Sequence, residues 1–193
     1  MDRFFNLKVH GLESLPDRGP FILAANHHNY LDGVLLAALV PYKISFIVMP
    51  RVYHATLFHP LLHRWLASIK VHLHCPDIPA LRRALTLLAQ NRVVGIFPEG
   101  PYSTSGRLER GLPGVAFLAL HSGAPVVPVA IRGTYEALLG RPAHIPRRHP
   151  VTVRFGPGRL FVPSRRHPKR AERERVTADV MSDIGRLLTV SPD

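Results

Sequence analysis

The segment FILAANHHNYLDG, residues 21–33, passes abruptly from an apolar run into a polar cluster. A short apolar run such as FILAA is typical of a strand that is buried on both faces of a sheet. The residues that follow the cluster, LDGVLLAALV (31–40), are apolar over a length that suits a helix. The segment therefore predicts a strand, a polar turn and a helix, with His27 in the turn and Asp32 near the helix start.

The same alternation continues along the chain, because further apolar runs are each followed by a helix-like segment. Strands that alternate with helices indicate an α/β domain. We predict one domain over residues 1–193, with a mostly parallel central sheet flanked by helices. The expected strands are ISFIVM (44–49), VVGIF (93–97), PVVPVAI (125–131) and a late or edge strand VTVRFG (151–156). The expected helices are HPLLHRWLASI (59–69), DIPALRRALTLLAQ (77–90) with Asp77 as N-cap, and LPGVAFLALHSG (112–123). A further helix is expected in the tail, where Val176, Val180, Ile184 and Leu187 have helical spacing.

The charge of the chain indicates an anionic partner. Lys and Arg outnumber Asp and Glu by 25 to 13, which gives a formal net charge of +12 and a pI of about 11.0. Nucleic acid, an anionic membrane surface and phosphorylated small molecules all suit this charge. The single cysteine, Cys75, excludes an internal disulfide, and the longest apolar run, VLLAALV (34–40), is far shorter than the roughly 18 residues that cross a bilayer. We expect a cytoplasmic protein without a signal peptide that contacts membranes only peripherally.

His27 and Asp32 form a candidate general base. A carboxylate beside an imidazole fixes the tautomer of the ring and stabilises the imidazolium that forms when the ring takes up a proton. Five positions along a continuous helix would point the two side chains apart, whereas a loop that leads into a helix lets them meet. The chain has no G-x-S-x-G motif to supply a serine nucleophile, so we infer that the base activates a substrate hydroxyl or water. The adjacent His28 is interpreted as a packing or surface residue.

A second polar cluster follows another predicted strand. PEG (98–100) comes directly after VVGIF, just as the histidine cluster comes directly after FILAA. Ligands of open α/β sheets bind beyond the carboxyl ends of the strands. If the two strands are parallel, both clusters leave the same edge of the sheet, and we expect one crevice to hold both.

Together the two clusters resemble the signature of the glycerophosphate and lysophosphatidate acyltransferase family, N-H-x4-D followed by F-P-E-G. The first motif is matched by Asn26, His27 and Asp32, and the second is matched by Phe97, Pro98, Glu99 and Gly100. The resemblance covers nearly the whole chain. HGLESLPDRGPFILAANH (10–27) is similar to the family's approach to its first motif, and GVAFLALHSGAPVVPVAIRGTYEAL (114–138) is similar to the segment through its last motif, with Pro128 inside it.

The resemblance implies a direct acyl transfer. His27, held by Asp32, would take the proton of an acceptor hydroxyl, and the oxygen would attack an acyl thioester of coenzyme A or acyl carrier protein. The implied acceptor is the 2-hydroxyl of 1-acyl-sn-glycerol 3-phosphate, which becomes phosphatidate at the inner face of the membrane. No metal, other cofactor or covalent enzyme intermediate is expected. The residues implied for acceptor binding are Glu99, Gly100, Ser103, Arg51 and Arg107, and those that support the motifs are Asn26, Pro98 and Pro128.

The chain departs from the family at one informative place. The family commonly reads E-G-T-R-S, whereas Pro101 and Tyr102 stand here in the Thr and Arg places and only Ser103 matches. The family's arginine is tied to the acceptor phosphate. Either Arg51, Arg107 or Arg110 supplies that charge, or the acceptor is another lipid or polar hydroxyl compound.

Other interpretations depend on residues outside the two motifs. His72, His74 and Cys75, with His59 and His63 four positions apart, could be read as metal ligands, but the H-E-x-x-H glutamate is absent. Chance proximity explains the set better in a chain with 12 histidines. Trp65 and its leucine neighbours are interpreted as core, with a membrane-interface helix as the alternative.

Two alternatives concern the function as a whole. A basic nucleic-acid-binding module would explain the net charge, but the arginines are spread and no recognition motif accompanies them, so we expect no nucleic-acid partner. A thioesterase would use the same base on water.

Overall fold

The computed structural model describes residues 5–48, 68–71, 77–138, 146–163 and 168–190. Within these ranges the chain forms one layered α/β domain. The strands are β1 (Lys8–His10), β2 (Phe21–Ala25), β3 (Ile44–Val48), β4 (Ile69–Lys70), β5 (Val93–Ile96), β6 (Val126–Arg132) and β7 (Thr152–Phe155). The helices are α1 (Tyr30–Leu39), α2 (Ile78–Ala89), α3 (Gly114–Ser122), α4 (Thr134–Leu138) and α5 (Arg170–Thr189), with a short 3-10 helix at Leu12–Ser14.

The strands of the described ranges lie side by side in one seven-stranded sheet, in the order β1-β7-β6-β2-β5-β3-β4. Neighbouring strands are parallel except for β6 and β7, which are antiparallel. Parallel strands need crossover connections, and α1, α2 and α3 supply those that follow β2, β4 and β5. The predicted α/β class with a mostly parallel central sheet is therefore confirmed.

Side chains of the central strand β2 explain why both faces of the sheet are covered. Every residue of β2 is buried. Ile22 and Ala24 pack with α2, α3 and α5 on one face, while Phe21, Leu23 and Ala25 pack with α1 on the other. Since burying one large apolar side chain contributes about 1.5–3 kcal/mol, a helix layer on each face stabilises the sheet.

The strands at the two edges of the sheet differ from those predicted from the sequence. VTVRFG does form the late strand β7, but β7 is not at the edge, because the short strand β1 pairs with its outer side. No apolar run marks Lys8–His10 as a strand. The last residue of the predicted helix 59–69, Ile69, begins β4, where it is buried and pairs with Ile47 of β3. Residues 59–67 of that predicted helix lie outside the described ranges.

The helix predictions at 77–90 and in the tail are confirmed. The Asp77 carboxylate accepts a hydrogen bond from the Ala80 N–H at 3.0 Å and caps α2. Helix α5 buries Val176, Val180 and Ile184 against the sheet. Its basic residues are partly balanced within the helix, because Arg170 and Arg175 form i, i+4 ion pairs with Glu174 and Asp179.

Candidate active site

The two polar clusters leave the same edge of the sheet. β2 and β5 are parallel neighbours, with Ala24 opposite Ile96 near their carboxyl ends. The loop that follows β2 carries His27, and the loop that follows β5 carries Glu99. The predicted juxtaposition of the two motifs is therefore observed.

His27 and Asp32 are in direct contact. The His27 Nδ1 and Asp32 Oδ2 atoms are 3.0 Å apart, and both residues are buried. The contact forms because Asp32 occupies the third position of α1, where its carboxylate also accepts from the N–H of the N-cap residue, Asn29, in a capping box. The turn thus brings the carboxylate back to the imidazole. It leaves Nε2 as the ring nitrogen that is available for a substrate proton.

Asp32 is held in its charged form. Burial raises the pKa of the Asp32 carboxyl, but the hydrogen bond and the charge of His27, together with the Asn29 N–H, outweigh burial and leave the pKa below its usual value. An ionised carboxylate on Nδ1 is the arrangement that orients a general base.

Asn26 anchors the start of the loop. Its side-chain Nδ2 donates to the Ile131 carbonyl at 2.9 Å, and its Oδ1 accepts from the Ile131 N–H at 2.7 Å. The side chain therefore behaves like one more strand residue between β2 and β6. This pairing fixes the point at which His27 leaves the sheet.

Glu99 joins the two motif loops through the backbone. Its Oε1 accepts from the His27 N–H at 2.7 Å, and its Oε2 accepts from the Glu109 N–H at 2.6 Å. Burial raises the pKa of the Glu99 carboxyl, although the two N–H donors act against this effect. Both oxygens are thus engaged in holding the loops together, while the acceptor-binding role expected for Glu99 stays a prediction.

The Glu99→Gln substitution should separate this bridging role from simple filling of space. A glutamine has one acceptor oxygen, so its amide NH2 would face one of the two backbone N–H groups. We expect the free energy of unfolding to fall by about 1–3 kcal/mol, the cost of leaving a buried donor unsatisfied, and turnover to fall with it. Urea unfolding followed by circular dichroism measures the change. The control is Glu174→Gln on the exposed face of α5, and equal stability of the two variants would contradict the bridge.

Aromatic rings enclose the imidazole of His27. Phe97 stacks on it with ring centroids 3.7 Å apart and planes 10° apart, and Tyr102 meets it edge-on at 4.5 Å. Phe46 of β3 stacks behind Phe97 at 5.9 Å. Gly95 makes room for this column, because a Cβ there would lie 2.5 Å from the Phe46 ring. Phe97, which belongs to the second motif, and Tyr102, which replaces the family's arginine, both contact the candidate base. The sequence did not indicate these two contacts.

The remaining motif residues shape the loop after β5. Gly100 adopts a left-handed backbone conformation, with φ of 82°, and closes a turn in which its N–H donates to the Phe97 carbonyl at 3.0 Å. The Pro98 carbonyl accepts from the Leu112 N–H at 2.7 Å. Pro128 lies in β6 opposite Ala24.

Ser103 links the two motif loops, and the backbone carbonyl of Arg107 holds its hydroxyl. The Ser103 N–H donates to the His27 carbonyl at 2.9 Å, and its buried hydroxyl donates to the Arg107 carbonyl at 2.7 Å. The side chain of Arg107 is exposed. The acceptor-binding roles of both residues stay predictions, and Arg51 lies outside the described ranges.

His28 is more closely tied to the site than a surface residue would be. Its N–H donates to Asp32 Oδ2 at 2.6 Å, and its Nδ1 is 3.3 Å from the Thr134 hydroxyl. Its ring meets Tyr135 edge-on at 5.9 Å. Burial lowers the pKa of His28, although the nearby Asp32 carboxylate acts in the opposite direction.

Neither a metal cluster nor a spanning helix is found in the described ranges. No group of three or more His, Cys, Asp or Glu side chains there could hold a metal ion, and no helix there is long and apolar enough to cross a membrane. The histidines and Cys75 that were considered as metal ligands, and Trp65, lie outside these ranges.

Comparisons with known proteins show the family of this chain. Residues 6–132 match the family model described as Acyltransferase. The 1-acyl-sn-glycerol-3-phosphate acyltransferase of Bacillus subtilis (strain 168) is 24% identical over 158 residues, which cover 72% of this chain and 74% of that protein. The chloroplastic enzyme BAT2 of Brassica napus, named for the same activity, is 29% identical over 137 residues, but these cover 68% of this chain and only 38% of the plant protein.

A solved structure supports the fold. The crystal structure of the 1-acyl-sn-glycerophosphate acyltransferase PlsC from Thermotoga maritima superimposes with a TM-score of 0.77 at 23% identity, covering 98% of this chain and 75% of that chain. The expected family resemblance is confirmed, since the family model alone covers more than half of the 193 residues. The chain belongs to the acyltransferase family and is an O-acyltransferase.

Proposed function

We propose that this enzyme transfers a fatty acyl group from a thioester to the 2-hydroxyl of 1-acyl-sn-glycerol 3-phosphate, giving phosphatidate. The observation that carries the proposal is the buried 3.0 Å contact between His27 Nδ1 and Asp32 Oδ2, beside the loop that follows β5. The Bacillus and Brassica relatives are named for acyl transfer to this acceptor. The donor is the thioester of coenzyme A or of acyl carrier protein, and no metal or other cofactor takes part in the proposed steps.

The proposed steps use one base and no covalent enzyme intermediate. His27 Nε2 takes the proton from the acceptor hydroxyl while Nδ1 keeps its hydrogen bond to Asp32. The oxygen attacks the thioester carbonyl carbon, so that a C–O bond forms and the carbonyl oxygen becomes an oxyanion. Collapse of this intermediate breaks the C–S bond, and the imidazolium returns its proton to the leaving thiolate.

We further propose that the enzyme works as a peripheral protein at the cytoplasmic, inner face of the membrane. The net charge of +12 suits an anionic lipid surface, which would present the lysophospholipid. No role for nucleic acid is proposed.

An acceptor panel tests the proposed function. With one labelled acyl thioester, supplied in turn on coenzyme A and on acyl carrier protein, we expect the label to enter phosphatidate when 1-acyl-sn-glycerol 3-phosphate is present in anionic vesicles. Omission of the acceptor should leave the thioester intact. Release of labelled fatty acid at the same rate without acceptor would instead establish a thioesterase.

One observation favours a second acceptor class. Tyr102, which stands where the resemblance leads us to expect an arginine, contacts the His27 ring at 4.5 Å. A phenol at this place suits a lipid or polar hydroxyl acceptor without a terminal phosphate better than a guanidinium would. Lysophospholipids with neutral or zwitterionic headgroups therefore belong in the panel, and turnover on these alone would replace lysophosphatidate as the acceptor.

A further inference from the structure

The two oxygens of the Asp32 carboxylate are used unequally. Oδ2 accepts from His27 Nδ1 at 3.0 Å, from the His28 N–H at 2.6 Å and from the Asn29 N–H at 2.9 Å. Oδ1 is buried and has no hydrogen-bond partner in the described part of the chain. A buried carboxylate oxygen without a donor is costly. Oδ1 can therefore still accept a hydrogen bond from a neighbouring donor.

Thr134 is placed to supply that donor. It is fully buried and begins α4, directly beyond the carboxyl end of β6. Its carbonyl accepts from Asn29 Nδ2 at 2.7 Å, which fixes its backbone against the histidine loop. Burial raises the pKa of the Asp32 carboxyl, and the Thr134 hydroxyl is among the groups that lower it.

The same hydroxyl also contacts His28. Its Oγ1 is 3.3 Å from His28 Nδ1, and burial lowers the pKa of His28, which favours the neutral ring. A neutral His28 with its hydrogen on Nδ1 donates to Oγ1, and the threonine O–H is then free to point at the carboxylate. With that bond made, hydrogen bonds connect His28 through Thr134 and Asp32 to His27.

We propose that Thr134 is a positioning residue of the acyl transfer, whose hydroxyl holds the Asp32 carboxylate so that Oδ2 faces His27 Nδ1 while the ring carries a proton. The proposal rests on the proposed function of His27 as the base. When the imidazolium forms, the carboxylate must keep both its orientation and its negative charge. A donor at the second oxygen serves both needs, because it resists rotation of the carboxylate and disfavours proton transfer onto it.

Several other titratable groups face this network. They are His28 in the same loop, Tyr102 and Glu99 in the loop after β5, and Tyr135 and Glu136 on α4. Substitution of Thr134 keeps all five side chains, but His28 Nδ1 loses its contact with Oγ1. A direct measurement of the Asp32 pKa therefore separates the donor lost by the carboxylate from the change at His28.

The test compares Thr134→Val, which keeps the shape and removes the hydroxyl, with Thr134→Ser, which keeps the hydroxyl. We expect Thr134→Val to lower kcat about tenfold, the effect of one hydrogen bond to a charged group, with KM for the thioester unchanged. The acid limb of the kcat/KM profile should move to higher pH, because a carboxylate without this donor retains the His27 proton more strongly. Thr134→Ser should restore both the rate and the profile.

The pKa of Asp32 gives a readout that does not depend on turnover. Followed by NMR of the labelled carboxyl carbon, it should rise in Thr134→Val and return in Thr134→Ser. The matched control is Thr177→Val on α5, which removes another buried threonine hydroxyl, one that donates to the Arg173 carbonyl at 2.8 Å. This control should lower stability without moving either the profile or the Asp32 pKa.

Two outcomes would overturn the proposal. One is a Thr134→Val enzyme with the wild-type rate, pH profile and Asp32 pKa. The other is a Thr134→Ser enzyme as impaired as Thr134→Val, since the hydroxyl would then be irrelevant and only the side-chain shape would matter. Failure of the proposed function would give a different result. His27→Ala would turn over at the wild-type rate, or no acceptor of the panel would be acylated. The NMR comparison would still decide the role of Thr134.

Discussion

His27→Ala is expected to lower kcat by roughly 10³-fold or more, the effect of removing a positioned general base. The reason is that the His27 imidazole is held by Asp32 at 3.0 Å and stacks on Phe97 of the second motif. The backbone N–H of residue 27, which donates to Glu99 at 2.7 Å, survives the substitution, so the loops stay joined. Steady-state acyl transfer with the best acceptor of the panel measures the loss, and circular dichroism checks that the fold is kept.

A matched histidine gives the control for this substitution. His121 is exposed on α3, where its ring contacts the Phe117 carbonyl of its own helix. His121→Ala should retain the wild-type rate. A His27→Ala preparation, free of contaminating acyltransferase, that turns over at a rate near wild type would show that some other group removes the hydroxyl proton.

The sheet was predictable where apolar runs are long enough to be buried on both faces. FILAA, VVGIF and PVVPVAI became β2, β5 and β6 because their side chains alternate between two cores. β1 and β4 were missed because they contain only three and two residues, and the backbone pairs with neighbours without an apolar run to mark it. Short edge strands owe their structure to the sheet that they join.

The position of the site was predictable because the two motifs follow the carboxyl ends of two parallel strands. That rule placed His27, Asp32 and Glu99 together before any contact was known. It did not identify their partners, because Phe97 stacking, the Glu99 bridge and the Thr134 contact depend on packing between distant segments, His28 and Thr134 being 106 positions apart. The same rule applied to the end of PVVPVAI, where RGTYEAL follows, would have indicated Thr134.

Asp32→Asn should be the second most damaging substitution, with a fall in kcat of roughly 10²–10³-fold, because the base loses the charge that stabilises its protonated form. The asparagine oxygen should take the place of Oδ2, because the His28 and Asn29 N–H groups both donate there, and it can still accept from His27 Nδ1. The substitution therefore removes the negative charge that stabilises the imidazolium while the hydrogen bond stays. KM for both substrates should change little, because the loss lies in the basicity of His27 during proton transfer. Initial rates at saturating acceptor and thioester measure it.

Stability distinguishes this loss of charge from a collapse of the loop. Because the folded pKa of Asp32 lies below its usual value, the carboxylate contributes stability above the unfolded pKa and loses it as the pH falls through the folded value. The difference in unfolding free energy between wild type and Asp32→Asn should therefore be largest near neutral pH and shrink in acid. Asp77→Asn, which replaces the N-cap of α2 by an equally good cap, should match wild type in rate and stability. If Asp32→Asn keeps its rate while losing stability, the carboxylate serves only to cap α1, and the proposed base needs no partner.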